Sequence, residues 1–223
     1  MLETIRKIIS NVLQAIYQPF FFALILSVLV MFFVMYLDKY TEGSFKDKLW
    51  AAAKEWKGRF ASTVRFRRGF YLVFCAVMVL FKTLLNRNMW ANPISDVIGI
   101  WGFKNANGDF TTEIVENVVL FVPLVFFLFW YMETRTADIQ KDRASDDQQP
   151  KTTDTQQPKT FSTKFHLVMI RAIVFAFVSS LSIEMLQLVL RLGTWQLSDL
   201  FFNTLGGIIG GLIYWISAKA RRL

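Results

Sequence analysis

The sequence predicts an all-α polytopic membrane protein, with about five transmembrane helices and an amphipathic helix at the N-terminus. Three observations carry that expectation. Five apolar runs recur along the chain, each near the roughly 20 residues that cross a bilayer as a helix. The 223 residues are 54% hydrophobic and 19% charged, where soluble domains hold about 45–50% and 25%. Finally, the basic residues behind the net charge of +8 flank the apolar runs. That placement sets topology and meets anionic headgroups, and it argues against nucleic acid as a partner.

The elements follow in order. "LETIRKIISNVLQAIY" places Leu2, Ile5, Ile8, Ile9, Val12, Leu13 and Ile16 on one helical stripe. Its charges are spread along that pattern and no small-residue cleavage site follows, so a cleavable signal peptide fits poorly. A helix lying in the membrane interface is expected, or a cap packed on the bundle. The first span is Phe20–Leu37, and the second is Gly69–Leu85, in which Lys82 snorkels to the surface. The third is Asn117–Met132, the fourth Leu167–Leu190 and the fifth Leu200–Ile216.

Three regions follow from these spans. Residues 1–68 hold the amphipathic helix, the first span and a basic loop. Residues 69–216 form a membrane domain, interrupted by a polar linker at 135–165. Residues 217–223 are a basic tail. The linker is rich in Gln, Thr and Asp, too polar to bury a core, and reads as disordered. Cys75 lies in "YLVFCAVMVLF", and an apolar setting of that kind suits an inert packing thiol.

Orientation comes from the lysines and arginines, because short loops rich in them stay cytoplasmic. Residues 38–68 hold nine, the linker six and the tail three, eighteen in all, whereas the other side holds six. The N-terminus is therefore expected outside and the C-terminus in the cytoplasm.

Polar residues converge at the outer side. Ser180, Glu184, Gln187 and Arg191 are spaced by four, three and four, which stacks them on one face of the fourth span. A buried carboxylate costs a few kcal/mol in a bilayer, and persists when protonated, paired or hydrated. Glu116 and Asn117 begin the third span. Asp199, or Ser198, is placed to cap the fifth, with Asn203 one turn deeper. The short connection lets Arg191 reach Asp199. The outer loop adds "NPISDVIGIWG", including Asn92, with Trp90 and Trp101 as interfacial anchors. Polar side chains in membrane bundles also act as simple glue, at about 0.6 kcal/mol per contact. Their gathering at one depth points further, to an outer-leaflet binding site. "GGIIGG" spaces Gly206 from Gly210 and Gly207 from Gly211 by four, a helix-packing pattern. Pro123 is expected to kink the third span.

His166, the sole histidine, lies at the opposite end, so neither a His-based triad nor a zinc set is expected there. The chain lacks a P-loop and a dinucleotide fingerprint, and no cofactor or metal is expected. An enzyme here would use Glu184 and Asp199 as acid and base.

At these residues the chain resembles the VanZ-like family. "NPISDVIGIWG", "ENVVLFVP" and "SLSIEMLQLVLRLGTWQLSDLFFNTLGGIIGG" carry the resemblance, which runs from about Asn86 to Gly211. The matching residues are Asn92, Pro93, Asn117, Pro123, Glu184, Gln187, Arg191, Asp199, Asn203 and Gly206. Ser198 stands where many relatives have a second Asp, and Leu124–Val125 replaces a Gly-containing turn end. The resemblance implies a bacterial plasma membrane protein that lowers susceptibility to teicoplanin-type lipoglycopeptides. The expected partners are membrane lipids and either the drug's lipid tail or a lipid-linked cell-wall precursor. The alternative is an intramembrane enzyme acting on a lipid-linked envelope substrate. The expected binding residues are Asn92, Glu116, Asn117, Glu184, Gln187, Arg191, Asp199 and Asn203.

Overall fold

The computed structural model describes residues 2–39, 45–87, 92, 94–104, 108, 110–146 and 164–221. Six α-helices account for most of them: α1 Leu2–Lys39, α2 Phe45–Ser62, α3 Val64–Leu80, α4 Glu113–Asp146, α5 Phe165–Leu190 and α6 Leu197–Ala220. A π-helical turn, Phe81–Leu85, extends α3. Among the described residues there is no strand; an isolated bridge pairs Lys104 with Phe110. Five helices are long and apolar enough to cross a membrane: α1, α3 with its π turn, the first part of α4, α5 and α6. The chain is a multi-pass membrane protein.

Three elements differ from the sequence expectation. The amphipathic stripe is not a separate helix but the first part of the 38-residue α1. At 1.5 Å per residue α1 is about 57 Å long, well beyond the roughly 30 Å hydrocarbon core. Pro19 lies within it and does not end it, because neither segment contains a glycine or turn signal that would separate them. Part of the basic loop folds as α2, and a single residue, Thr63, separates α2 from α3. The second span therefore begins at Val64, five residues before the expected Gly69. Likewise, α4 continues through the start of the expected linker to Asp146. "ETRTADIQKDRA" contains no Gly or Pro and several strong helix formers, so the helix propagates once the span has nucleated it. Residues 147–163 of that linker, and Trp90 and Pro93, lie outside the described residues.

The helices pack in the sequence α1, α3, α4, α6, α5, with the closest association between α4 and α6 and then between α5 and α6. Phe121, Val125 and Phe129 of α4 meet Ala172 and Ala176 of α5 and Tyr214 of α6 in the core. Bulky residues are instead exposed on the outer face of α1, among them Ile25, Leu29 and Phe33, as a lipid-facing helix requires. The glycines of α6 work in two pairs. A Cβ on Gly206 or Gly210 would run into the Val118 and Val122 carbonyls of α4. One on Gly207 or Gly211 would run into Ala176 and Ala172 of α5. The small-residue spacing thus presents two faces of α6 to two neighbours at once. Pro123 sits inside α4, and the continuous helix spans it.

Candidate functional site

The polar residues collect at the end of the bundle where α1 begins. The π turn closes with the Asn86 amide donating to the Phe81 carbonyl at 2.9 Å, and the next residue is Arg87. Its Nη1 lies 3.2 Å from Glu113 Oε1, at the start of α4, and its Nη2 lies 3.1 Å from Asp199 Oδ2, at the start of α6. Asn117 Nδ2 donates to the other oxygen, Asp199 Oδ1, at 2.7 Å. One guanidinium thus ties three helices together around a buried carboxylate. Burial disfavours the charge on Arg87, but Asp199 and then Glu113 outweigh it and raise the pKa, so the group is held protonated. Gly193, at φ +78°, lies against this arginine, where a Cβ would approach Arg87 Cδ to 3.2 Å.

A second ion pair lies alongside. Lys82 Nζ is 2.8 Å from Glu116 Oε2. Glu116 Oε1 accepts from Thr112 Oγ1 at 2.7 Å, and Thr112 Oγ1 in turn accepts from Asn11 Nδ2 at 3.2 Å. The first part of α1 is tied to the start of α4 in this way.

The polar residues of the α5 face each take a partner, although Gln187 Oε1 accepts no hydrogen bond among the described residues. Ser180 Oγ accepts from Asn203 Nδ2 at 2.9 Å. Glu184, only 2% exposed, accepts the Gln196 backbone amide on Oε2 at 2.9 Å. Gln187 Nε2 donates to the Thr83 carbonyl in the π turn at 2.6 Å, supplying a partner where a helix end leaves carbonyls unpaired. Ser180 and Glu184 thus join α5 to α6 and its N-cap, and Gln187 joins it to the π turn.

Arg191 behaves otherwise. It closes α5 in the left-handed conformation, φ 52° and ψ 46°, and is exposed. The expected pairing of Arg191 with Asp199 is not made; Arg87 takes that place. Sequence spacing favoured Arg191 because it is only eight residues from Asp199. The reversal at Arg191–Gln196 redirects it, while the packing of α3 on α4, and of the π turn on α5, brings up Arg87. Arg87 was visible in the sequence merely as a loop charge, and no local signal marked it. Glu113 was overlooked for the same reason.

Capping of α6 differs as well. Gln196 is the N-cap residue, without a side-chain cap bond. Ser198 Oγ accepts the Ile100 amide at 3.1 Å, and the Val97 carbonyl accepts the Leu197 amide at 2.9 Å. Both residues expected as caps are thus drawn into tertiary bonds. The loop that precedes α4 is thereby seated on the start of α6. Gly99, at φ +73°, is required there, because a Cβ would collide with Ser198 Oγ. Trp101 lies against Phe201 and Phe202, with ring centroids 5.3 and 5.7 Å away. Asn92 is exposed and closes a local turn by accepting the Ile94 amide at 3.3 Å; it does not join the cluster.

Two cavities flank this network. One, of about 250 Å³, is lined by Lys82, Asn86, Arg87, Thr111, Glu113, Glu116 and Asn117. The other, of about 300 Å³, is apolar and includes Ile16, Phe74, Met78, Val119, Leu120 and Pro123 in its lining. Met78 of α3 is one turn from Lys82 of the π turn that extends it, and Leu120 one turn from Glu116 on α4, so the apolar cavity begins a helical turn beyond the charged one. The arrangement can hold an amphiphile, with charge-assisted bonds at one end and a greasy slot at the other.

Among known families, the model for VanZ/LLP1 matches residues 20–218. No curated protein and no solved structure matches the chain.

Proposed function

Because the chain belongs to the VanZ/LLP1 family, we propose that it lowers susceptibility to teicoplanin-type lipoglycopeptides by binding an amphiphile at the α3–α4 pocket. The amphiphile is the drug's lipid tail or a lipid-linked cell-wall precursor. The observation that carries this reading is the succession of a charged pocket and an apolar cavity along the same two helices. Lys82 and Arg87 supply the cations for a phosphate or carboxylate, while Glu113 and Glu116 hold them in place until a ligand competes. The apolar slot takes a hydrocarbon chain. With the N-terminus outside, as the lysine and arginine distribution favours, the pocket lies under the surface where such drugs act.

The reading differs from the sequence expectation in its residues. Arg87, Lys82 and Glu113 replace Arg191 and Asn92 at the ligand, with Glu116, Asn117 and Asp199 retained. Glu184, Gln187 and Asn203 support the site by holding α5 against the π turn and α6. The test is surface binding of a fluorescent lipoglycopeptide to cells expressing the protein. Expression should lower binding, and Lys82→Gln or Val119→Trp should restore it with protein levels unchanged. A glycopeptide without a lipid tail should respond less. Undiminished protection in both variants would overturn the proposal.

A further inference from the structure

A second amphipathic cavity lies at the opposite end of the bundle, between α1, α3 and α4, with a volume of about 620 Å³. Its lining changes character with depth. Arg65 is one residue into the second candidate span, which begins at Val64, and Arg59 is near the end of α2. Two to three turns further along α3 the lining is Leu72 and Val73, facing Met31 and Val34 of α1. Glu55 holds Arg59 through a 2.7 Å contact with Nη2, and the Arg65 guanidinium carbon lies 6.0 Å from the centre of the Tyr131 ring. Between the two zones is Gly69, where a Cβ would come within 3.3 Å of Tyr131. Glycine keeps the passage open.

The surrounding field is positive. Lys54 and Lys57 are exposed along α2. Arg68 and Arg221 share Glu133, at 3.4 and 3.0 Å. Glu133 is therefore taken up by arginines outside the cavity lining, whereas Glu55 shares Arg59 with any anion bound there. We infer that this cavity binds an anionic phospholipid, with the phosphodiester on Arg59 and Arg65 and an acyl chain against Met31, Val34, Leu72 and Val73. The cations stand at the end of a spanning helix and the apolar walls lie deeper, which is the order of groups in a lipid molecule. Free phosphate would leave the walls unused, and a zwitterionic lipid would gain less from the arginines. The inference is independent of the pocket at the other end.

The experiment is native mass spectrometry of the full chain, delipidated in neutral detergent. It is titrated with phosphatidylglycerol or phosphatidylcholine of matched chains, with inorganic phosphate as competitor. Wild type should retain phosphatidylglycerol over phosphatidylcholine by on the order of tenfold. Arg59→Gln with Arg65→Gln should erase the preference, Val73→Trp should reduce retention of both lipids, and Lys54→Gln with Lys57→Gln should leave the preference intact. Equal retention of the two lipids by wild type would overturn the inference. So would an equal loss in the Lys54/Lys57 variant, which would mean diffuse attraction, or displacement by phosphate, which would mean a free-anion site. If the double arginine variant does not fold, Val73→Trp decides, and unchanged phosphatidylglycerol retention there rejects the cavity.

Discussion

At the scale of single residues, burial and pairing separate the arginines that matter from those that do not. Asp199 is 3% exposed, and Arg87 and Asn117 occupy both of its oxygens. Removing one partner of a buried ion pair leaves an uncompensated charge, at a cost of about 3–5 kcal/mol. Arg87→Ala should therefore lower the thermal midpoint of the detergent-solubilised protein sharply. Arg191→Gly should do the opposite. A left-handed position strains any residue with a Cβ, and relieving it gains about 1 kcal/mol, so this variant should melt at or above the wild-type temperature. Equal destabilisation by the two changes would contradict the assignment of the Asp199 partner to Arg87. The sequence marked Asp199 as costly to bury but could not name its partner, because Arg87 lies 112 positions away along the chain.

At the scale of elements, α6 is the helix on which the bundle closes. The spacing of Gly206, Gly207, Gly210 and Gly211 was readable as a packing signal. Which neighbour each pair meets was not, because that depends on the rotation of α6 between α4 and α5. Gly206→Val presses on the α4 backbone and Gly207→Val on Ala176 of α5. Overpacking of this kind costs about 1–3 kcal/mol, and both variants should lose folded yield and thermal stability. Gly58, in α2, has nothing within 4 Å of where a Cβ would stand, so Gly58→Ala should gain roughly 0.5–1 kcal/mol from helix propensity. Destabilisation by Gly58→Ala as great as that by Gly206→Val would deny α6 its special closeness. Element ends were the least legible feature. α2 and the extension of α4 carry mixed charge and apolar residues with no strong stop signal, and such segments take helical form only beside a nucleated span.

At the scale of the whole molecule, the five spans leave the two polar ends on opposite sides of the membrane. In a Cys75→Ser background, single cysteines at Arg191 and Lys219 should react with an impermeant maleimide from opposite faces. Position 191 should react in intact cells and position 219 only after permeabilisation. The reverse result would invert the orientation and remove the pocket from the drug's side.

The number of spans, their approximate bounds, the family and the polar end of the bundle were written in the sequence, because hydrocarbon imposes length and composition locally, run by run. The partners of the polar groups were decided by tertiary structure alone. Arg87 rather than Arg191 on Asp199, Ser198 bonded to a loop rather than capping its helix, and Gln187 on the π turn all join distant parts of the chain. In a medium with no water to satisfy a stranded donor or acceptor, those pairings are set by which helices come to lie side by side.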